Sequence, residues 1–280
     1  AHVVGTKWVF KIKLKKDHSI DKFRARLVVK GYAQVKGIDY NELFSPVIRH
    51  TSLRTLLSLA AAESWSIDQM DVRVAFFNGE LDEDIYISEP DGAGYGLLPG
   101  EVLKLEKALY GLKQAPRCWN KELSSFLMEC KFRRCITDPC IFVKHSDEGV
   151  CIIGVYVDDM LVMGDDKTEI ENIKEKLKNR FEIDDLGPAR YCLGLEIDRD
   201  INAKTIKLSQ KASAEKLLKK FRCNDARVRD KCIPFTPKQD IEDPEEPIAS
   251  ELPFRECVGA QLYLSTCTRV MQTNKYINAT

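Results

Sequence analysis

Histidine is scarce in this chain, and no C-x-x-C pair occurs. The 280 residues include four scattered histidines, and three of the ten cysteines, Cys130, Cys135 and Cys140, lie five apart. The common zinc modules need tighter ligand pairs, so this spacing argues against them. The cysteines are expected to be reduced thiols acting as small apolar residues. No apolar run reaches the ~18 residues of a membrane span, and the opening "AHVVGTKWVF" lacks a signal-peptide pattern. The chain does not begin with Met, so excision from a longer one is the expectation. No internal repeat is present. With 44% apolar and 31% charged residues, what remains is an ordinary globular chain of one large or two smaller domains.

Net charge is also missing, at zero, but its distribution is uneven. Residues 1–36 carry ten Lys and Arg against Asp17 and Asp21, a balance of +8. Residues 63–101 carry ten acids against Arg73, a balance of −9, and residues 104–134 return to +5. A basic block beside an acidic centre suits a polyanion held next to a metal site. Solvated faces of opposite sign would give the same pattern.

"KWVFKIKLK" alternates Trp8, Phe10, Ile12 and Leu14 with lysines, the period of a half-buried strand, and "RARLVVKGY" returns as the second arm of a basic hairpin. Ser52 to Ser64 has helical spacing with Ser52 as its cap. Trp65 to Leu81 reads as a strand reaching Asp71, then an aromatic turn closed by Asn78-Gly79. Pro116 stands near the start of a helix running to about Cys130. "KTEIENIKEKLKNRF" places Ile170, Ile173, Leu177 and Phe181 on one helical face. Two short strands, "YCLGLEID" and "TIKLSQ", and the helix "SAEKLLKKF" follow. The five prolines and many acids between Asp230 and Pro253 mark a linker, and "FRECVGAQLYLSTCTR" forms a last helix. Interleaved helices and hairpins predict an α+β fold.

The stretch "GVYVDDMLVMGDD" carries the chemistry. Asp158 and Asp159 form the tip between two apolar strands, without the glycine that a two-residue hairpin prefers. Two such carboxylates ~5 Å apart repel by roughly 3 kcal/mol at an effective dielectric near 20. A divalent cation turns that repulsion into attraction. Asp71, ending another apolar strand, would complete a trio if the strands are neighbours, the arrangement used in two-metal phosphoryl transfer. Asp165 and Asp166 match no such position and are expected to close the strand in solvent.

Taken with its neighbours, the sequence resembles the reverse transcriptase of copia-type (Pseudoviridae) long-terminal-repeat retrotransposons. The matching stretches are "KWVFKIKLKKDHSIDKFRARLVVKGYAQVKGIDYNELFSPV", "QMDVRVAFFNGELDEDIYISEP", "LEKALYGLKQAPRCWN", "DPCIFV", "YVDDMLVMG" and "FEIDDLGPARYCLGLEI". They occur in the family's order across about residues 5–269. The resemblance implies a right-hand polymerase of fingers, palm and thumb, with an antiparallel palm sheet carrying the YVDD hairpin. Fingers would occupy 1–64 and palm 65–200, with finger segments interleaved at about 85–115. A thumb-like region would follow at 201–229, then a linker and truncated end at 230–280.

It further implies RNA-directed DNA polymerisation with two Mg2+ ions, Mn2+ being a possible substitute, held by Asp71, Asp158 and Asp159. Phe76 matches the aromatic gate against a ribose 2′-hydroxyl. Backbone around Val72, Val74 and Ala75 would meet the triphosphate, with Arg26 and Gln114 as further nucleotide contacts. Lys30, Lys113, Pro116 and Tyr156 would touch primer or template, and Leu193 and Gly194 match the primer grip. The implied partners are an RNA template, a DNA or RNA primer, deoxynucleotides, Gag, and a parent polyprotein with protease, integrase and ribonuclease H. No membrane is implied. The implied setting is cytoplasmic virus-like particles, with nuclear delivery of the product.

Each residue outside the aspartate trio has a plainer reading. Phe76 would serve as core, Arg26 as a surface charge, Gln114-Ala115-Pro116 as a helix start, and Leu193-Gly194 as a strand bend. Departures from the family favour a second hypothesis, a degenerate remnant that binds nucleic acid without catalysis. "VMQTNKYINAT" replaces the expected Pro-Asp-Ile continuation, and no protease, integrase, zinc-knuckle or ribonuclease H pattern is present. A metal-dependent nuclease is the third reading, and it explains neither Phe76 nor Leu193-Gly194.

Overall fold

Alternation, turn residues and helical spacing resolve into fourteen strands and five α-helices in the computed structural model, which describes residues 2–14, 19–221 and 253–268. β1 (Val3–Val4) leads into the hairpin of β2 (Thr6–Leu14) and β3 (Ile20–Val29), and α1 (His50–Ala62) follows. β4 (Ser66–Val72) runs into a 3-10 turn (Ala75–Asn78), then β5 (Glu80–Ile87), β6 (Leu103–Lys107) and α2 (Ala115–Glu129). β7 (Arg133–Arg134), β8 (Ile141–Ser146), β9 (Gly149–Tyr156), β10 (Asp159–Gly164), α3 (Lys167–Arg180) and β11 (Ile183–Pro188) come next. β12 (Tyr191–Cys192), β13 (Leu195–Asp200), β14 (Thr205–Ser209), α4 (Lys211–Lys220) and α5 (Phe254–Thr268) complete the order. Residues 1–189 with 201–205 form one compact unit, and 190–200 with the described residues from 206 onward form another. The break at 189/190 falls inside the 65–200 stretch assigned above to one domain. The proposed linker up to residue 252 and the tail 270–280 lie outside the described residues.

The first unit is built on a six-stranded antiparallel sheet in the order β11-β4-β10-β9-β8-β7. Strand alternation gives its two faces different work. Met70, Val72, Ile153, Val155, Met160 and Val162 turn to the side where α2 brings Trp119, Leu123 and Leu127 and α3 brings Ile170, Ile173 and Leu177. Each such side chain, fully buried, contributes about 1.5–3 kcal/mol. On the other face Ile48 and the α1 residue Leu56 reach Gly154, where a Cβ would stand 3.0 Å from Ile48 Cδ1. The mixed α and β character agrees with expectation; a three-stranded sheet β1-β5-β6, with β1 parallel to β5, accompanies the antiparallel one.

Four expectations need correction. Helix α1 starts at His50 with Arg49 as N-cap, so Ser52 is inside it. Its capping acceptor is Asp138, whose carboxylate takes the Arg49 N–H at 3.1 Å and the Cys140 N–H at 3.1 Å. Burial alone would raise the Asp138 carboxyl, but hydrogen bonds from Ser52, Arg49 and Cys140 hold it below the usual range. Second, the β2–β3 ribbon is not half-buried: Phe10 is 76% and Phe23 74% exposed, because among the described residues no other strand or helix covers these rings. Third, the YVDD turn consists of Val157 and Asp158, since Asp159 already pairs with Tyr156 in the ladder. Fourth, Asp166 is buried and caps α3, accepting the Glu169 N–H at 2.8 Å and the Ser146 hydroxyl. Asp165, though exposed, accepts the Val150 N–H at 2.7 Å and so ties down the start of β9.

The eight described cysteines are free thiols, and burial pushes Cys140 up to about 11 and Cys151 up to about 12. Among the described residues no helix is long and apolar enough to cross a membrane. The underside of the β4–β11 edge is held by Lys174, whose buried ammonium meets Asp68 at 2.8 Å and Asp185 at 3.1 Å. Burial alone would raise the Asp185 carboxyl, but Lys178, the Gly187 N–H and Lys174 hold it at about 2. An unfolded aspartate titrates near 3.9, so this contribution is complete above about pH 4 and is lost as pH falls towards about 2. Asp185→Asn is therefore expected to lower the urea midpoint at pH 6 and to converge with the parent near pH 2. A constant gap between the two curves would contradict this.

Candidate active site

Register brings the separated acids together. Asp159 of β10 is the cross-strand partner of Asp71 of β4, and Asp71 is also the partner of Asp184 of β11. Cross-strand partners share a face, so three carboxylates from three adjacent strands line one side of the sheet. Asp158 stands beside them in the turn, and its carbonyl accepts the Val72 N–H at 2.9 Å. The turn holds Val157 at φ +56, a left-handed conformation that costs a β-branched residue roughly 1–3 kcal/mol. The Trp119 indole N–H donates to the Val157 carbonyl at 2.6 Å, fixing the turn to α2.

The carboxylates lack positive partners of their own. Among the described residues Asp71, Asp158 and Asp159 make no ion pair; Gln69 donates to Asp159 at 3.3 Å. Asp184, by contrast, is held by Arg73 through bonds of 2.8 and 2.6 Å. Burial, then the charges of Asp158 and Asp184, raise the proton affinity of Asp71, against the opposing pull of Lys13 and Arg24. Burial also raises that of Asp159; the Gln69 bond opposes this, and the charges of Asp158 and Asp71 add to it. A hard divalent cation suits this donor set. As arranged, however, no three His, Cys, Asp or Glu side chains among the described residues are grouped closely enough to hold one ion.

The ribbon has two unlike faces. Lys7, Lys11, Lys13, Lys22, Arg24 and Arg26 share one, and Trp8, Phe10, Ile12, Phe23, Ala25 and Leu27 share the other. The basic face bears on the acids, since Lys13 and Arg24 act on Asp71 and Lys22 acts on Asp184.

The 3-10 turn after β4 places Phe76 half-buried against two apolar clusters of the unit. Its ring lies tilted on Tyr110 with centroids 4.8 Å apart, and the Arg26 guanidinium stands 4.8 Å over the same Tyr110 ring. Val74 and Ala75 open this turn, where first-turn N–H groups have no partner within the turn. The Val72 side chain is in the core, so only its backbone belongs to the site. Gln114 is 2% exposed and committed to the protein: it accepts from Gln34 at 3.0 Å and donates to the Asp39 carbonyl at 2.7 Å. The Lys113 ammonium bonds the Gln34 carbonyl and the Tyr40 hydroxyl, each at 3.3 Å. The Pro116 carbonyl accepts from Ser45 at 3.1 Å, and the Lys30 N–H donates to the Gly5 carbonyl at 2.8 Å. Tyr156 ends β9 opposite Asp159.

Leu193 and Gly194 belong to the second unit, both left-handed at φ +50 and +76. The Tyr263 hydroxyl donates to the Leu193 carbonyl at 2.9 Å, and a Cβ on Gly194 would stand 2.2 Å from the Tyr263 hydroxyl oxygen. Sequence reasoning missed Trp119, Tyr110, Gln69 and Asp184. Only Asp184 carried a usable signal, the acidic pair "DD" beside a strand.

Comparison with known proteins bears on this arrangement. A family model described as reverse transcriptase (RNA-dependent DNA polymerase) matches residues 1–237. The Retrovirus-related Pol polyprotein from transposon TNT 1-94 of Nicotiana tabacum is 39% identical over 275 residues, covering 94% of this chain and 20% of the polyprotein. The corresponding polyprotein from transposon RE1 of Arabidopsis thaliana is 44% identical over 197 residues, covering 70% of this chain and 13% of the polyprotein. The transposon Ty1-NL2 Gag-Pol polyprotein of Saccharomyces cerevisiae is 30% identical over 226 residues, 78% of this chain and 12% of that protein. The chain thus spans a fifth or less of the length of these relatives.

Proposed function

Because the chain belongs to the reverse transcriptase (RNA-dependent DNA polymerase) family, in its copia-type retrotransposon branch, we propose that it extends a primer 3′-hydroxyl with deoxynucleotides opposite an RNA or DNA template. The observation that carries this reading is the Asp71–Asp159 register pair, with Asp158 beside it and no ion pair to any of the three among the described residues. Asp71, Asp158 and Asp159 are the residues that would hold Mg2+, as two ions with Mn2+ an acceptable substitute, and the bound metal would supply charge neutralisation at the attacking oxygen and the pyrophosphate leaving group.

The chain's own residues do the rest. Arg26, Lys13 and Arg24 present positive charge to the triphosphate, and the turn amides of Val74 and Ala75 offer donors to it. Phe76 fills the space beside the sugar and rejects a 2′-hydroxyl. Trp8, Phe10 and Phe23, exposed on the outer face of the ribbon, provide a stacking platform for bases of the single-stranded template. Gln114 and Lys113 act by fixing the loop that carries Gln34, Asp39 and Tyr40. In this reading residues 1–64 serve as fingers, 65–200 as palm with finger segments at about 85–115, and 201–229 as thumb, with Leu193 and Gly194 as primer grip. The parent is a Pol polyprotein with protease, integrase and ribonuclease H. It works with Gag in cytoplasmic virus-like particles whose DNA is delivered to the nucleus.

The test is primer extension on an RNA template with Mg2+, in which Asp158→Asn is expected to be inactive. Extension that survives this substitution would reject the assignment. A second reading, a nucleic-acid-binding remnant, draws on the lack of a ready three-acid cluster among the described residues. It predicts binding of primer–template that weakens steeply with salt, without incorporation by the parent chain.

A further inference from the structure

We propose that Tyr110 is a positioning residue for sugar discrimination, acting through Phe76; this rests on the gate reading of Phe76 given above. Three contacts single it out. Its ring meets Phe76 at 4.8 Å and 60° and Phe77 at 5.7 Å and 73°, so two consecutive residues of the 3-10 turn lean on one aromatic face or edge. The Arg26 guanidinium, 4.8 Å from the ring centroid, is drawn to the same ring by the cation–π attraction. Tyr110 therefore links the residue proposed to read the sugar with a residue proposed to meet the phosphates.

Backbone constraints keep the ring in place. The Tyr110 carbonyl accepts the Val29 N–H at 2.8 Å, joining it to β3, and the Ala108 N–H donates to the Gly79 carbonyl at 2.9 Å, joining the same segment to the end of the 3-10 turn. Gly111, at φ +95, allows this: a Cβ there would stand 2.1 Å from the Val29 carbonyl oxygen. The segment is thus bound to the ribbon at Tyr110 itself and to the gate turn two residues earlier, at Ala108. Phe76 is only half-buried, so its ring is confined by packing on one side and by Tyr110 on another. Without that wall the gate ring gains rotamers that admit a 2′-hydroxyl.

The experiment compares dATP with ATP in ternary complexes assembled on a dideoxy-terminated primer–template with Mg2+, alongside single-nucleotide extension. Tyr110→Ala is expected to shrink the preference for the deoxynucleotide on the order of tenfold, the scale of losing aromatic contacts. Tyr110→Phe, which keeps the ring, should retain the parent's ratio, and Tyr110→Leu, which fills volume without an aromatic face, should behave like Tyr110→Ala. A rise in KM for both nucleotides from the freed Arg26 should accompany this without changing the ratio further. If Phe76→Val relaxes discrimination but both Tyr110→Ala and Tyr110→Leu leave it intact, Tyr110 is only scaffolding and the proposal falls. If Phe76→Val leaves the ratio unchanged in a chain that binds deoxynucleotide, the gate reading itself is overturned, and this proposal with it.

Discussion

Asp71→Asn is expected to lower Mg2+-dependent primer extension by roughly a thousandfold or more, while leaving the metal-free protein at least as stable as the parent. The two halves of this result have one cause. Asp71 lies across from Asp159 in the ladder, and burial, followed by the charges of Asp158 and Asp184, raises its proton affinity. Its folded carboxyl keeps its proton to higher pH than the unfolded one, so stability falls as pH rises through that window and stays at the lower level above it. Asparagine removes that cost and also removes the charge that a cation needs. Urea unfolding in chelator and in Mg2+ checks the stability half: the parent should gain from the metal, the variant should not. A variant that extends primers, or one markedly less stable than the parent in chelator, would refute the proposed role.

Trp119→Ala should cost about 3–5 kcal/mol, the usual result of emptying a large aromatic from a core. That is a large share of the roughly 5–15 kcal/mol that holds a native domain. Trp119 is 1% exposed and its ring meets Phe181 edge-on at 5.1 Å. Trp119→Phe separates packing from positioning. Most of the ring remains, but the Val157 carbonyl loses its donor, at a cost of about 1–3 kcal/mol. Val157 is then free to leave its left-handed conformation, and Asp158 moves with it. We expect Trp119→Phe to be folded at 25 °C yet to extend primers at least about tenfold more slowly. Parent-like extension by this variant would show that the turn needs no anchor.

The aspartate trio was legible because its parts are local. Each acid ends or interrupts an apolar alternation, and alternation survives translation into strands. The fault was one of register: Asp159 belongs to the ladder, so the turn falls one residue earlier and its strain sits on Val157. The ribbon's two faces were also legible, whereas the exposure of Phe10 and Phe23 was not, since alternation says which residues share a face and nothing about what covers it. Asp166 was misread because an acid after a strand and an acid before a helix look alike, and only the Glu169 N–H decides between them. Tyr110 and Trp119 were silent in the sequence. Their roles are contacts with residues 26 and 76, and with residue 157, and no spacing rule connects such positions.

The cap on α1 has a consequence for the order of events during synthesis. A helix usually finds its first acceptor within a residue or two and is finished as it leaves the ribosome. Here the acceptor for the Arg49 N–H is Asp138, 89 residues later. At about 5–20 residues per second, that stretch takes several seconds to be made. For that interval the start of α1 is open and the face of Gly154 that Leu56 will meet does not yet exist. The sheet bearing Asp71 is completed later still, when first Asp159 and then β11 arrive on either side of it. A nascent chain of this protein therefore carries its basic ribbon early and its acidic centre late, so the positive charge of the hairpin is presented before the carboxylates that lie near it are assembled.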